Sequence, residues 1–238
     1  QSHVGRCMIY GIRGFEKQVQ TGLEFINKAA AENYPSALYH LSGFFYDGIA
    51  SQLGKSTERA KKLLLESANL GYAPANSQLA IFYFSGRHGF EEDADKAYFR
   101  ASVAFALDNT SEEAALILGG FHDKDVPEPS LYLACYYMNI AAISKATTGA
   151  ASRYYSKSLL LLDNHLHGDN TTNGFNVLPA AYFWMRKSRD LGFKDAREML
   201  KEWETFEQSR CANCGKEVQG DEKFKQCSKC KSQCYCSK

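Results

Sequence analysis

Three stretches of this chain are versions of one ten-residue phrase: KAAAENYPSA (28–37), ESANLGYAPA (66–75) and KSRDLGFKDA (187–196). Aligned on Ala37, Ala75 and Ala196, each has Ala or Ser second, Asn or Gly sixth and an aromatic seventh. The pattern predicts a helix that ends at an Asn/Gly position, where a positive φ costs little. A short turn with its aromatic folded back follows. A second helix then enters with a small residue where two helices cross closely. Self-similarity at a fixed period restricts a chain more than its composition does, because one unit must stack on its copies to bury its apolar faces.

Weaker copies in ALDNTSEEAA and KATTGAA end at Ala114/Ala115 and Ala150/Ala151. The steps from Ala37 through Ala75, Ala114 and Ala151 to Ala196 are 38, 39, 37 and 45 residues. The long last step contains HGDNTTNGFN, a loop-like insertion rich in Gly, Asn and Thr. Each unit reads as two helices. The first carries Leu41, Phe45 and Tyr46, matched by Leu79, Tyr83 and Phe84, and is closed by Gly48 or Gly86. The second carries Ala60, Leu63, Leu64 and Ser67, matched by Ala97, Arg100, Ala101 and Ala104, and again by Ala181, Trp184, Met185 and Ser188. This i, i+3, i+4, i+7 spacing is one apolar helix face.

SALYHLSGFFYDG with RAKKLLLESANLGYAPA, and ANSQLAIFYFSG with DADKAYFRA, resemble Sel1-like repeats, longer relatives of the tetratricopeptide repeat. The resemblance covers roughly residues 20–205 and implies an all-α fold, a right-handed α-solenoid of helix pairs, of the kind found in adaptor scaffolds. The chain then divides into an N-terminal segment (1–17), helical repeats (18–208) and a cysteine-rich end (209–238).

Six of the eight cysteines lie in the final 28 residues, CANCGKEVQGDEKFKQCSKCKSQCYCSK. A secreted disulfide scaffold spreads its cysteines through a small domain. Here the long first part holds only Cys7 and Cys135, read as buried thiols. Paired C-x-x-C steps in a reducing compartment point to metal, which places the protein in the cytoplasm or nucleus. Zinc takes about four ligands tetrahedrally and favours thiolate; each C-x-x-C turn supplies half a site. Lys216, Lys225, Lys229 and Lys231 are cations suited to thiolates. A lobe of this size folds only with a staple, since Phe224 and Tyr235 are nearly all its core.

The series C-x2-C-x12-C-x2-C-x4-Y-C resembles the opening of a MYND zinc finger. That resemblance implies two structural zinc ions in a cross-braced order. By matching position, Cys211, Cys214 and Cys236 serve the first ion, and Cys227 and Cys230 the second. Cys234 falls in a variable slot and is set aside as a non-ligand. The family pattern continues with a Cys, a His and a Cys, so the resemblance implies further chain beyond Lys238 and an incomplete finger here. A single ion shared by Cys211, Cys214, Cys227 and Cys230, as in a zinc ribbon, remains the alternative from spacing alone. A redox C-x-x-C opens a helix after a strand, which nothing here suggests.

The remaining candidates have plainer readings. His165 and His167 form an H-x-H that suits a polar helix end. EEDAD (91–95) suits a helix start, and DKDVPEP (123–129) reads as a linker. Tyr and Phe, 14 and 15 in number, are assigned mostly to packing between repeats. Net charge is +1, which supplies no field for nucleic acid. Residues 209–238 hold seven Lys/Arg against three Asp/Glu, an excess that bound thiolates would offset. No stretch of about 18 apolar residues appears, and QSHVGRCMIYG has no apolar run of a secretory signal. No catalytic set or Gly-rich phosphate loop is found. The expectation is therefore a non-enzymatic adaptor with a zinc-binding module, docking proteins through short proline-containing segments, with the repeats' concave side as a second surface. The rival readings are the non-catalytic part of a SET-type lysine methyltransferase and a zinc ribbon that binds nucleic acid.

Overall fold

The computed structural model describes residues 2–48, 54–124, 129–144, 149–168 and 177–208, with 225–226, 228 and 234–235 near the C-terminus. Among the described residues the chain forms eleven helices and one short antiparallel strand pair. The helices are α1 (Ser2–Tyr10), α2 (Val19–Ala31), α3 (Pro35–Asp47), α4 (Thr57–Asn69), α5 (Ala73–Ser85), α6 (Ala94–Leu107), α7 (Glu112–Lys124), α8 (Leu131–Ile143), α9 (Gly149–Gly168), α10 (Leu178–Asp190) and α11 (Lys194–Gln208). The strands are β1 (Lys225–Gln226) and β2 (Cys234–Tyr235). The chain divides into two compact units, residues 1–118 and 119–238.

The repeated phrase becomes one helix end. In each strong copy the sixth residue has a positive φ: Asn33 at 57°, Gly71 at 79° and Gly192 at 84°. The N–H groups of Asn33 and Tyr34 donate to Ala30 and Ala29 carbonyls, at 2.9 and 3.1 Å. Gly71/Tyr72 and Gly192/Phe193 repeat the pattern onto Ala68/Ser67 and Arg189/Ser188. These crossed bonds satisfy orphan carbonyls at the helix end and turn the chain sharply. Gly48 and Gly86 close α3 and α5 in the left-handed conformation, φ 65° and 60°, as their shared offset predicts.

The alanines mark the next helix at one register. Ala37, Ala75, Ala114, Ala151 and Ala196 are each the third residue of their helix, and each is 0% exposed. The weaker copies at Ala114 and Ala151 thus keep the register, although their turns lack the Asn/Gly signature.

In the partner helices the fourth, eighth and eleventh residues form a buried row. It reads Gly22–Ile26–Ala29 in α2, Ala60–Leu64–Ser67 in α4, Ala97–Ala101–Ala104 in α6, Ala134–Met138–Ala141 in α8 and Ala181–Met185–Ser188 in α10. Small residues let backbones approach, and in every row but that of α6 a larger central one fills the space between; burying Leu64 alone contributes about 2 kcal/mol. Three of these helices, α4, α6 and α8, begin on capping side chains. Ser56, Asp93 and Ser130 each accept from the backbone N–H three residues on. Asp93 is the cap of the acidic run, and its carboxyl is held below the ordinary range by the hydrogen bond from Lys96.

Several expectations change. Residues 2–10 are helical, within the segment set ahead of the repeats. Gly5 and Gly22 meet face to face, where a Cβ on Gly22 would lie 2.6 Å from the Gly5 carbonyl. That seam has only Ile9 and Ile26 beside the two glycines, so it leaves little periodicity to read. Aromatics are less buried than spacing suggests: Phe84, Phe99, Tyr136 and Phe183 are exposed by half or more. The last three each follow the buried alanine of their helix by two positions, which lies on a different face. The start of the expected linker, Asp123–Lys124, belongs to α7. Most of the HGDNTTNGFN insertion lies outside the described residues.

Candidate functional site

In the first unit the first members of successive pairs, α1, α3 and α5, share a cavity of about 450 Å³. Helix α1 contributes Arg6 and Tyr10, one turn apart. Helix α3 contributes Tyr39, His40, Ser42, Gly43, Phe44, Tyr46 and Asp47, and α5 contributes Gln78 and Phe82; His88 follows from the next loop. The i, i+4, i+7 spacings Tyr39–Gly43–Tyr46 and His40–Phe44–Asp47 put two adjacent rows of α3 on this face. The volume is within the range of ligand pockets.

The cavity has two chemically different parts. Tyr46, Phe82 and His88 form an aromatic corner: the His88 ring stacks on Phe82 at 4.5 Å and meets Tyr46 edge-on at 4.9 Å, while Tyr46 and Phe82 lie 5.4 Å apart. His88 adopts φ 55°, an uncommon conformation for a residue with a side chain. The other part is polar. Arg6 acts electrostatically on Tyr10, Tyr39, His40 and Tyr72. Burial, with Arg6 and His3 nearby, pushes the His40 pKa down to about 4, so its ring is neutral at pH 7. Burial and then Glu58 push the Tyr46 phenol up to about 12, so it keeps its proton.

Two donors here lack acceptors. Arg6 Nε and the Tyr46 hydroxyl are buried with no hydrogen-bond partner. Groups in that state cost free energy, commonly about 1–3 kcal/mol each.

The residues proposed for zinc, Cys211, Cys214, Cys227, Cys230 and Cys236, lie outside the described residues. What is described beside them is the strand pair, in which Lys225 faces Tyr235 and Gln226 faces Cys234. His165 and His167 both fall in α9. Among the described residues no group of three His, Cys, Asp or Glu is placed to hold a metal ion. Cys7 and Cys135 are free buried thiols, as expected. Burial, then Asp123, pushes the Cys135 pKa up to about 11, which keeps it a thiol and a poor nucleophile. Among the described residues no helix is long and apolar enough to cross a membrane.

The cavity has little signature in the spacing of apolar residues. Its signals were Gly43, a glycine in mid-helix within SGFFYDG, and MIYG at 8–11, which echoes the ending of α3 ahead of the first recognised copy.

No protein-family model matches the chain. Among curated proteins, the chitin synthase regulator SKT5 of Malassezia restricta is 27% identical over 121 residues, covering 49% of this chain and 8% of that protein. The chain therefore spans less than a tenth of that regulator's length. A protective antigen of uropathogenic Escherichia coli with an SLR fold superposes with a TM-score of 0.67 and 20% identity, over 86% of this chain and 40% of that one. A Sel1 repeat protein from Oxalobacter formigenes gives a TM-score of 0.63 and 18% identity, over 87% and 76%. The helical part of the chain has a Sel1-like repeat fold.

Proposed function

We propose that this chain is a non-catalytic adaptor of the cytoplasm or nucleus, which holds partner proteins on a helical-repeat array and through a C-terminal zinc-bound lobe. The observation that carries the array's role is the cavity on α1, α3 and α5, whose buried donors have no acceptor within the chain. Such a site suits binding, because it offers hydrogen-bond donors and aromatic surface without an activated nucleophile. Likeness to a protein named as a regulator of an enzyme supports a role exerted on other proteins.

In the lobe, Cys211, Cys214 and Cys236 would hold one zinc ion, and Cys227 and Cys230 a second. Bound zinc would supply folding free energy; closed sites leave no position for a substrate water. The lobe would dock short proline-containing segments.

Two measurements test this reading. Elemental analysis of a longer protein, with about 30 further residues, is expected to find two zinc ions per chain; a single ion would favour the four-cysteine ribbon. Capture of partners by the protein with and without residues 209–238 is expected to lose the proline-containing class with the lobe. Unchanged capture would remove the lobe from the function.

A further inference from the structure

We infer that the α1/α3/α5 cavity binds an extended segment of a partner protein that carries a carboxylate side chain and, three positions away, an apolar one. This rests on the adaptor reading and names the chemistry of its array site.

Arg6 is permanently cationic, and its Nε–H is buried without an acceptor. Among the described residues no carboxylate lies within ion-pair distance of it. His40 is neutral and adds no charge beside Arg6. The missing group is thus an acceptor with about one negative charge. Asp47, at the same cavity, disfavours a doubly charged phosphate.

Space supports the same conclusion. Gly43 is mid-helix, where glycine weakens a helix by roughly 0.5–1 kcal/mol against alanine. Gly5, Gly22 and Gly119 have packing reasons, since a Cβ at each would meet neighbours within 2.9 Å. A Cβ on Gly43 would meet nothing within 4 Å. Packing does not need glycine there, nor at Gly120 in α7, but only Gly43 of the two lines the cavity.

Length decides between a compact ligand and a chain. Tyr39 and Tyr46 are seven residues apart on α3, about 10 Å along the axis. That is the reach of about three residues of extended chain. A carboxylate on Arg6 therefore leaves an apolar side chain in the aromatic corner of Tyr46, Phe82 and His88.

The test uses the whole chain and peptides capped at both ends. A pool carries Glu and Phe three positions apart, in both orders, among random uncharged residues. Parallel pools replace Glu by Gln or phosphoserine. We expect the Glu pool to bind on the order of tenfold more tightly than the Gln pool, as a charge-assisted hydrogen bond implies. Arg6→Leu should erase that difference, and Gly43→Leu should abolish binding of both pools, with far-UV signal and thermal midpoint retained. Gly43→Leu adds helix propensity into open space, so it keeps the test intact if Arg6→Leu misfolds. Equal binding of the Glu and Gln pools, tighter binding of the phosphoserine pool, unchanged binding by Gly43→Leu, or no binding by any pool each overturns the inference. The adaptor reading is judged separately, by zinc content and lobe-dependent capture.

Discussion

The hydroxyl of Ser67 donates to the carbonyl of Pro35 at 2.7 Å, tying the end of α4 to the start of α3. Ser188 repeats this at the matching register, donating to Gly149 at the start of α9 at 2.6 Å. Both serines are fully buried and sit eleventh in their helices. Two of the five rows thus carry the same hydrogen bond at the same register.

Removing either hydroxyl takes the donor from a part-buried carbonyl. Ser67→Ala and Ser188→Ala should each lower unfolding free energy by about 1 kcal/mol, read from denaturant midpoints. Because the sites are far apart in sequence and share no partner, the double variant should lose the sum.

Gly22→Ala tests the glycine contact. Its Cβ would lie 2.6 Å from both the Gly5 carbonyl and an Ile9 side-chain carbon, so α1 must move. Amide exchange in α1 should accelerate, while the helices of the second unit keep their protection. Unchanged α1 protection would mean that α1 is not held through this contact.

His40 makes stability depend on pH. Its folded pKa is depressed to about 4 from the ordinary 6.5, so between these values the unfolded chain binds the extra proton. Its contribution is complete above pH 6.5 and is lost as pH falls toward 4. After allowance for partial solvent contact the loss is about 1–2 kcal/mol. His40→Gln should flatten this part of the stability profile measured by urea unfolding.

Cys7 and Cys135 should resist iodoacetamide at pH 7.5 in the folded protein and react on unfolding, as read by mass spectrometry of the labelled peptides. Cys135 is shielded doubly, by burial and by its raised pKa. Fast labelling of Cys135 in the native protein would reopen it as a nucleophile.

Cys214→Ser is expected to reduce bound zinc and leave far-UV helical signal nearly unchanged, since the described helices end at Gln208. Loss of helical signal with loss of zinc would join the lobe and the array in one folding unit.

Local chemistry wrote much of this protein into the sequence. The Asn/Gly helix ends, the Gly48 and Gly86 stops and the Ala37, Ala75 and Ala196 entry points are legible because each meets a backbone or steric demand within a few residues. The thiol steps of the C-terminal lobe are legible in the same way, as a proposal from spacing. Tertiary structure alone decided that α1 belongs against α2, because a seam of Gly5 and Ile9 against Gly22 and Ile26 leaves too short an apolar period to read. It also decided that Arg6, Gly43, Tyr46 and Phe82 share one cavity. Those residues come from three helices, and whether a side chain faces a neighbour or a void depends on the space its neighbours leave between helices, which no periodicity within one helix can report.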